Sequence, residues 1–143
     1  MISAISLYIS ILRFIKEEFG EETIEKIHQY QMKRTVELGR ELRSSLEDNS
    51  LKAFCYRMDQ NCAGTHEWEK LRDTETQQAY RFTRCTWAEI FRSLNAEDIG
   101  IWICEGDSPT AAAFNLDIKF KRTKTLMEGD ECCDHEFFVE TER

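Results

Sequence analysis

The reactive side chains of this sequence crowd towards its end. The stretch "MEGDECCDHEF" (127–137) holds adjacent Cys132 and Cys133, flanked by Asp130, Glu131 and Asp134, followed by His135, one of three histidines. Thiols, carboxylates and an imidazole can ligate a metal, pair as a disulfide, or work as nucleophile and acid–base groups. Upstream lie Cys104 and Asp107, three residues apart, and the basic run Lys119, Lys121, Arg122 and Lys124. Cysteines stand at 55, 62, 85, 104, 132 and 133, and none makes a C-x-x-C pair. That excludes the usual structural zinc spacing. Vicinal disulfides are strained, and a 143-residue chain without a secretion signal does not need staples. Reduced thiols are therefore expected. A metal held by Cys104, Cys133, Asp107 and His135 would require a convergence that spacing does not show, so no metal ligand is assigned and the cofactor is left unknown.

These groups must be positioned by a single domain, 1–143. Apolar residues make up 41% and charged residues 32%, with one proline, six glycines and no low-complexity tract. The net charge of −8 argues against a nucleic-acid partner, which requires a cationic surface. The basic run at 119–124 reads as one solvated strand face. The leader "MISAISLYISILRFIKEEFG" has no basic n-region, and Arg13 and Lys16 interrupt it. It is too short and too charged to span a bilayer. It reads as a core helix of a cytoplasmic protein, starting abruptly at Met1 where a longer leading segment is expected.

Three helical stripes open the chain. Ile5, Ile9, Leu12, Ile15 and Phe19 mark the first, which Gly20 stops. Ile24, Ile27, Met32, Val36, Gly39, Leu42 and Leu46 mark a long second helix ending near Asn49. Gly39 on its buried face implies close approach of another element. His28, on the edge of that face, reads as a packed or half-exposed residue. Leu51, Phe54, Cys55, Met58 and Cys62 mark the third, with Cys55 and Cys62 as small buried apolar groups. The period then changes. "HEWEKL" and "QAYRFTRC" alternate as a hairpin around the polar "RDTETQ". Trp87 to Leu94 forms a short helix just after Cys85, a place that favours a thiolate. Asn95 with Asp98 reads as the cap of another short helix ending near Gly106, and Ser108-Pro109 as the start of a third. "NLDIKFKRTKT" and "CCDHEFFVET" alternate as two last strands, reversing at Gly129-Asp130. The fold class is α+β: N-terminal helices packed on an antiparallel sheet of about four strands with short intervening helices. On the final strand Cys133, His135, Phe137 and Val139 share one face, and Cys132, Asp134, Glu136 and Phe138 the other. At most one of the paired thiols can join a given site. Cys133 and His135 stand about 7 Å apart at Cα, too loose for a hydrogen-bonded dyad.

Cys85, "ICEGD" (103–107), "RTKTL" (122–126) and "GDECCDHEF" (129–137) together resemble the L-2-amino-thiazoline-4-carboxylic acid hydrolase family, whose pattern has a cysteine before a short helix, C-x-x-D, R-T-x-T-L and G-D-x-x-C-D-x-x-F. The leader "FIKEEFGEETIEKI" is also similar to that family's start. The resemblance implies a hydrolase that opens a C–N bond of a small cyclic amidine carboxylate. Under it, Arg122 would pair with the substrate carboxylate through its planar fork, and Asp107 or Asp134 would hold the amidinium and act as base. Cys104 or Cys133 would serve as nucleophile, and Thr125 would donate to developing charge. The same closing motif is similar to four-vinyl-reductase-type ligand-binding domains. Some of those hold zinc through cysteines and a glutamate, but Arg122 and Thr125, near that place here, are not zinc ligands. The alternative function is thus a non-catalytic module holding a small molecule in a cavity lined by Trp87, Phe91, Trp102 or Phe120. A third option is a homodimer through an exposed N-terminal apolar stripe.

Overall fold

The computed structural model describes residues 1–140. Helix α1 (Ile2–Phe19) buries Ile5, Ile9 and Leu12, while Leu7, Ile11 and Phe14 stay exposed on its outer face. The buried stripe fades after Ile15, and Phe19 faces solvent. Gly20, at φ 83°, separates α1 from α2 (Glu21–Ser45). That conformation is accessible to glycine without the penalty a Cβ would bring. Ser50 caps α3 (Leu51–Cys62) by accepting from the Ala53 amide at 3.1 Å. Strands β1 (His66–Asp73) and β2 (Gln77–Cys85) form the hairpin. Short helices α4 (Thr86–Ser93), α5 (Glu97–Glu105) and α6 (Asp107–Phe114) precede β3 (Ile118–Lys121), a 3-10 turn at Leu126–Glu128, and β4 (Cys133–Val139). The sheet is antiparallel with order β1-β2-β4-β3. The expected α+β class with four strands is the class observed. No helix among the described residues is long and apolar enough to cross a membrane.

Two cores meet at the site. One joins α1, α2, α4 and α5 around Ile9, Phe91 and Trp102. The other joins α3, α6 and the sheet around Phe54, Tyr80, Phe114 and Phe137. Gly39 lets α2 and α6 touch: a Cβ there would lie 2.6 Å from the Thr110 carbonyl oxygen and 2.8 Å from Ala113 Cβ. The close approach expected at this glycine is therefore present.

Several local expectations require correction. Asn95 does not cap α5. It sits at φ 50° and terminates α4, with the Ala96 amide donating to the Phe91 carbonyl (2.9 Å) and the Asn95 amide to Arg92 (3.1 Å). This is the Schellman pattern that asparagine supports. Helix α6 starts at Asp107 rather than at Pro109, and proline is tolerated in that first turn because its missing N–H would lack a helical partner. Helix α2 stops at Ser45, short of Asn49. The strand expected through Thr125 ends at Lys121, because Asp134 captures the next backbone amides.

Candidate functional site

Where the two cores meet, a cavity of about 170 Å³ is lined by Met58, Cys62, His66, Phe82, Cys85, Trp87, Ile103, Cys104, Asp107, Met127, Cys133 and His135. A larger concavity of about 460 Å³ between α2 and α6 is an open groove whose lining includes Val36, Pro109 and Leu116, with Arg40 its one titratable group. Chemistry therefore points to the smaller, more enclosed space. Each wall follows from local structure. Pleating of β4 turns Cys133 and His135 inward, and pairing with β2 sets Phe82 opposite Cys133 and Tyr80 opposite His135. Helix α5 supplies Cys104, and the first residue of α6 supplies Asp107.

Arg122 leaves the basic surface run and turns inward, with only 15% of its side chain exposed. Its Nη1 donates to the Cys104 carbonyl and to Asp107 Oδ2, both at 3.0 Å. Arg122 is absent from the cavity lining. Its visible role is to hold Asp107, where the sequence suggested a substrate carboxylate. Burial pushes the Asp107 carboxyl up to about 7, against the pull of Arg122. The group keeps 32% of its side-chain surface exposed and borders the cavity. His135 Nε2 lies 3.7 Å from the same Oδ2. Burial first, and then the Arg122 charge, lower His135 to about 3, so the ring is neutral over the ordinary pH range. Its Nδ1 is buried and has no hydrogen-bond partner.

The thiols are arranged around Thr125, which is 2% exposed. Cys133 Sγ donates to Thr125 Oγ1 (3.8 Å), Oγ1 donates to Cys104 Sγ (3.9 Å), and the Leu126 amide donates to Cys133 Sγ (3.2 Å). Burial, then the Asp107 charge, push Cys104 up to about 12, while Thr125 and Arg122 work the other way. Cys62 is pushed equally far, again by burial first. Burial also raises Cys133 despite the Leu126 amide. It raises Cys85 even though its sulfur caps α4 by accepting from the Ala88 amide at 3.5 Å. The thiolate favoured at a helix start is overruled here by desolvation. A preformed thiolate nucleophile is therefore absent from this cavity at neutral pH.

Asp134 points to the opposite face of β4. It accepts from the amides of Thr123 (2.8 Å) and Lys124 (2.6 Å) and from the Thr123 hydroxyl. Burial raises its carboxyl, but these hydrogen bonds outweigh it and leave the group below the usual carboxylate range. The structure thus separates Asp134 from Cys104, Asp107 and Cys133, and its oxygens are engaged in folding the 122–125 loop. Trp87 lines the cavity, whereas Phe91, Trp102 and Phe120 do not. Phe120 instead packs edge-on against His135, with centroids 5.2 Å apart. His28 stacks on Trp102 at 4.6 Å and meets Glu105, away from the site. No group of three or more His, Cys, Asp or Glu residues among those described is arranged to hold a metal ion. Sequence reasoning weighs His135 beside Cys133 and, with Asp107, only as part of a metal set, because spacing alone does not show that the head of α6 brings its carboxylate next to β4. The inward alternation of β4 is the signal that points to it.

Residues 2–137 match the family model described as L-2-amino-thiazoline-4-carboxylic acid hydrolase. The chain belongs to that family. The match includes every residue lining the cavity. Among solved structures, the chain is similar to the phenol-responsive sensory domain of the transcription activator PoxR with phenol. Identity is 10%, coverage is 97% of this chain and 74% of that one, and the TM-score is 0.58. At that identity the likeness concerns the fold alone. No curated protein matches significantly. This chain therefore shares its fold with a domain described as phenol-responsive.

Proposed function

We propose that this chain hydrolyses a small cyclic amidine, opening a ring C–N bond, with Asp107 as the group that moves the proton. The observation carrying this reading is a cavity-wall carboxyl held near neutrality by burial and gripped from behind by Arg122. A general acid–base group works best with its pKa near the working pH. The ring lies among Met58, Phe82, Trp87 and Met127, and its amidinium faces Asp107. The carboxylate takes a proton from water as the water oxygen bonds to the ring carbon between nitrogen and sulfur. The proton then goes to the ring nitrogen as its bond to that carbon breaks. One water is consumed and nothing is oxidised. The product keeps the C–S bond, a carbonyl and the former exocyclic amino group, and frees an amine. Because the thiols rest protonated, water is the nucleophile, and Cys104 and Cys133, held by Thr125 from behind, shape the wall.

The test is incubation with L-2-amino-thiazoline-4-carboxylate, following a mass gain of one water and the free amine. Wild type should turn over with an apparent pKa near 7, and Asp107→Asn should lose about 10²- to 10⁴-fold in rate. A wild-type protein that leaves the compound intact, or an Asp107→Asn variant at full rate, would refute the assignment. One observation favours a second reading: the cavity is slightly larger than the about 150 Å³ that holds a single benzene-sized ring, has mostly apolar walls, and occurs in a fold similar to a phenol-responsive domain. Saturable binding of a ring compound without any mass change would select that reading.

A further inference from the structure

A surface helix of a globular protein ordinarily turns one apolar stripe to the core and polar residues outward. Helix α2 obeys this, with Glu25, Lys26, Lys33, Arg34 and Glu41 exposed along it. Helix α1 does not. It buries Ile5, Ile9 and Leu12, yet Leu7, Ile11 and Phe14 are 62%, 48% and 57% exposed. At about 3.6 residues per turn these three fall within about 60° of one another, on the side away from the buried stripe. Two apolar stripes therefore run back to back along α1. The outer one continues into exposed Ala4 and Glu18 at its ends, and the described residues leave it open.

We infer that the outer stripe of α1 is a contact surface for a second copy of this chain, the two α1 helices packing antiparallel about a two-fold axis near Ser10 and Ile11. The steps from Leu7 to Ile11 to Phe14, four residues and then three, are the interval at which two helices interlock their side chains. A two-fold interface must be self-complementary. With the axis there, Leu7 of one copy meets Phe14 of the other, and Ile11 meets Ser10 and Ile11. Charge sets the direction. Parallel packing would place Glu18 against Glu18, whereas antiparallel packing places Glu18 beside Ser3, in the first turn of the other α1, where the helix dipole favours a carboxylate. Area sets the strength. The three side chains expose on the order of 100 Å² each. Together that is about 300 Å² per copy, the apolar part of an interface of about 500–600 Å² per partner, at the low end for specific complexes. The dimer is accordingly weak, with a Kd on the order of 10 µM. A membrane surface suits this face less well. The chain carries a net charge of −8, and both cations of α1 are engaged, Arg13 by the Asn95 carbonyl (2.7 Å) and Lys16 by Glu21 (2.8 Å). The pairing holds whatever the cavity binds or hydrolyses.

Sedimentation velocity of the full chain, from about 1 to about 300 µM so as to bracket that constant, tests the pairing. Wild type should pass from monomer to dimer across the range. Ile11→Glu sets two like charges together at the axis and should weaken the dimer at least about tenfold. Leu116→Glu, at a residue 79% exposed beyond α6, should leave it unchanged. Cysteine cross-linking reads the same contact without a charge in α1. A mixture of Leu7→Cys and Phe14→Cys chains should give a disulfide-linked dimer under copper–phenanthroline, and Leu7→Cys alone should not. Wild type that stays monomeric throughout overturns the inference, as does a dimer that Ile11→Glu leaves intact or that Leu116→Glu weakens equally. Self-linking of Leu7→Cys overturns the antiparallel arrangement. Monomer that instead binds phosphatidylcholine–phosphatidylglycerol vesicles assigns the face to a membrane and overturns the pairing.

Discussion

Asp107 and His135 are expected to exchange one proton when the chain folds, and pH-dependent stability can detect the exchange. In the unfolded chain an aspartate titrates near 4 and a histidine near 6.5 (both about). Between about pH 4.5 and about pH 6 the unfolded pair therefore holds its proton on histidine. In the folded protein Asp107 is raised to about 7 and His135 lowered to about 3, so the proton sits on the carboxyl. Each state binds one proton, and the pair contributes no net slope. The two parts oppose each other. Asp107, with a raised pKa, adds stability that is complete below its unfolded value and lost as pH rises through about 7. His135, with a depressed pKa, adds stability that is complete above about 6.5 and lost as pH falls towards 3. Each full term is worth about 1.4 kcal/mol per pH unit, hence about 2 kcal/mol over this window. Asp107 keeps 32% of its side chain exposed, so solvent screening reduces its share to about 1 kcal/mol. Urea unfolding at several pH values should show Asp107→Asn gaining stability relative to wild type as pH rises, and His135→Asn losing it. The double variant should tilt from wild type by no more than about 1 kcal/mol across this window, less than the His135 variant alone. Single variants that both parallel wild type, or that tilt the same way, would refute the proton exchange and the buried environment behind it.

Asp134→Ala removes three hydrogen bonds to the 122–125 loop and should lower unfolding stability by about 1–3 kcal/mol. Calorimetric melting checks this, and Asp134→Asn should retain part of the loss. Gly39→Ala gains helix propensity, about 1 kcal/mol, yet drives a methyl into the Thr110 carbonyl and Ala113. Overpacking of about 1–3 kcal/mol should win, and the melting temperature should fall by several degrees. Cys62 and Cys104, both pushed up to about 12, should alkylate with iodoacetamide near pH 8 at least about tenfold more slowly than a free thiol. Peptide mass mapping against time reads the rate, and Cys104 reacting like free cysteine would contradict its desolvated position.

Much of this fold is legible because its determinants are local. The stripe Ile5-Ile9-Leu12, the break at Gly20, the alternation of 77–85 and the reversal at Gly129 each declare themselves within one or two turns of chain. Gly39 is legible for another reason: a glycine on an apolar helix face has few explanations besides contact. The misreadings occur where two local signals compete. Asn95 has a side chain suited to starting a helix and a backbone suited to ending one, and the Schellman contacts of α4 decide it. Arg122 sits in a run of lysines that reads as surface, and the Cys104 carbonyl and the carboxylate of Asp107, brought by other elements, draw it inside.

The same division runs through the site, and strand β4 shows where it falls. Pleating alone sends Cys133 and His135 inward and Cys132 and Asp134 outward, so sequence identifies which side chains face the cavity. What each then does depends on neighbours from elsewhere. Cys133 meets Thr125 and the Leu126 amide at the end of a broken strand. His135 meets a carboxylate at the head of α6, and Asp134 meets the loop that would otherwise have extended β3. Cys133 and Asp134 both have carboxylate or thiol chemistry to offer, yet desolvation raises one and amide donors lower the other. Their roles separate through environment rather than residue type. A reactive centre on this strand therefore has to be built around its inward carboxylate neighbour, Asp107, and the aspartate adjacent to Cys133 in sequence serves the fold instead.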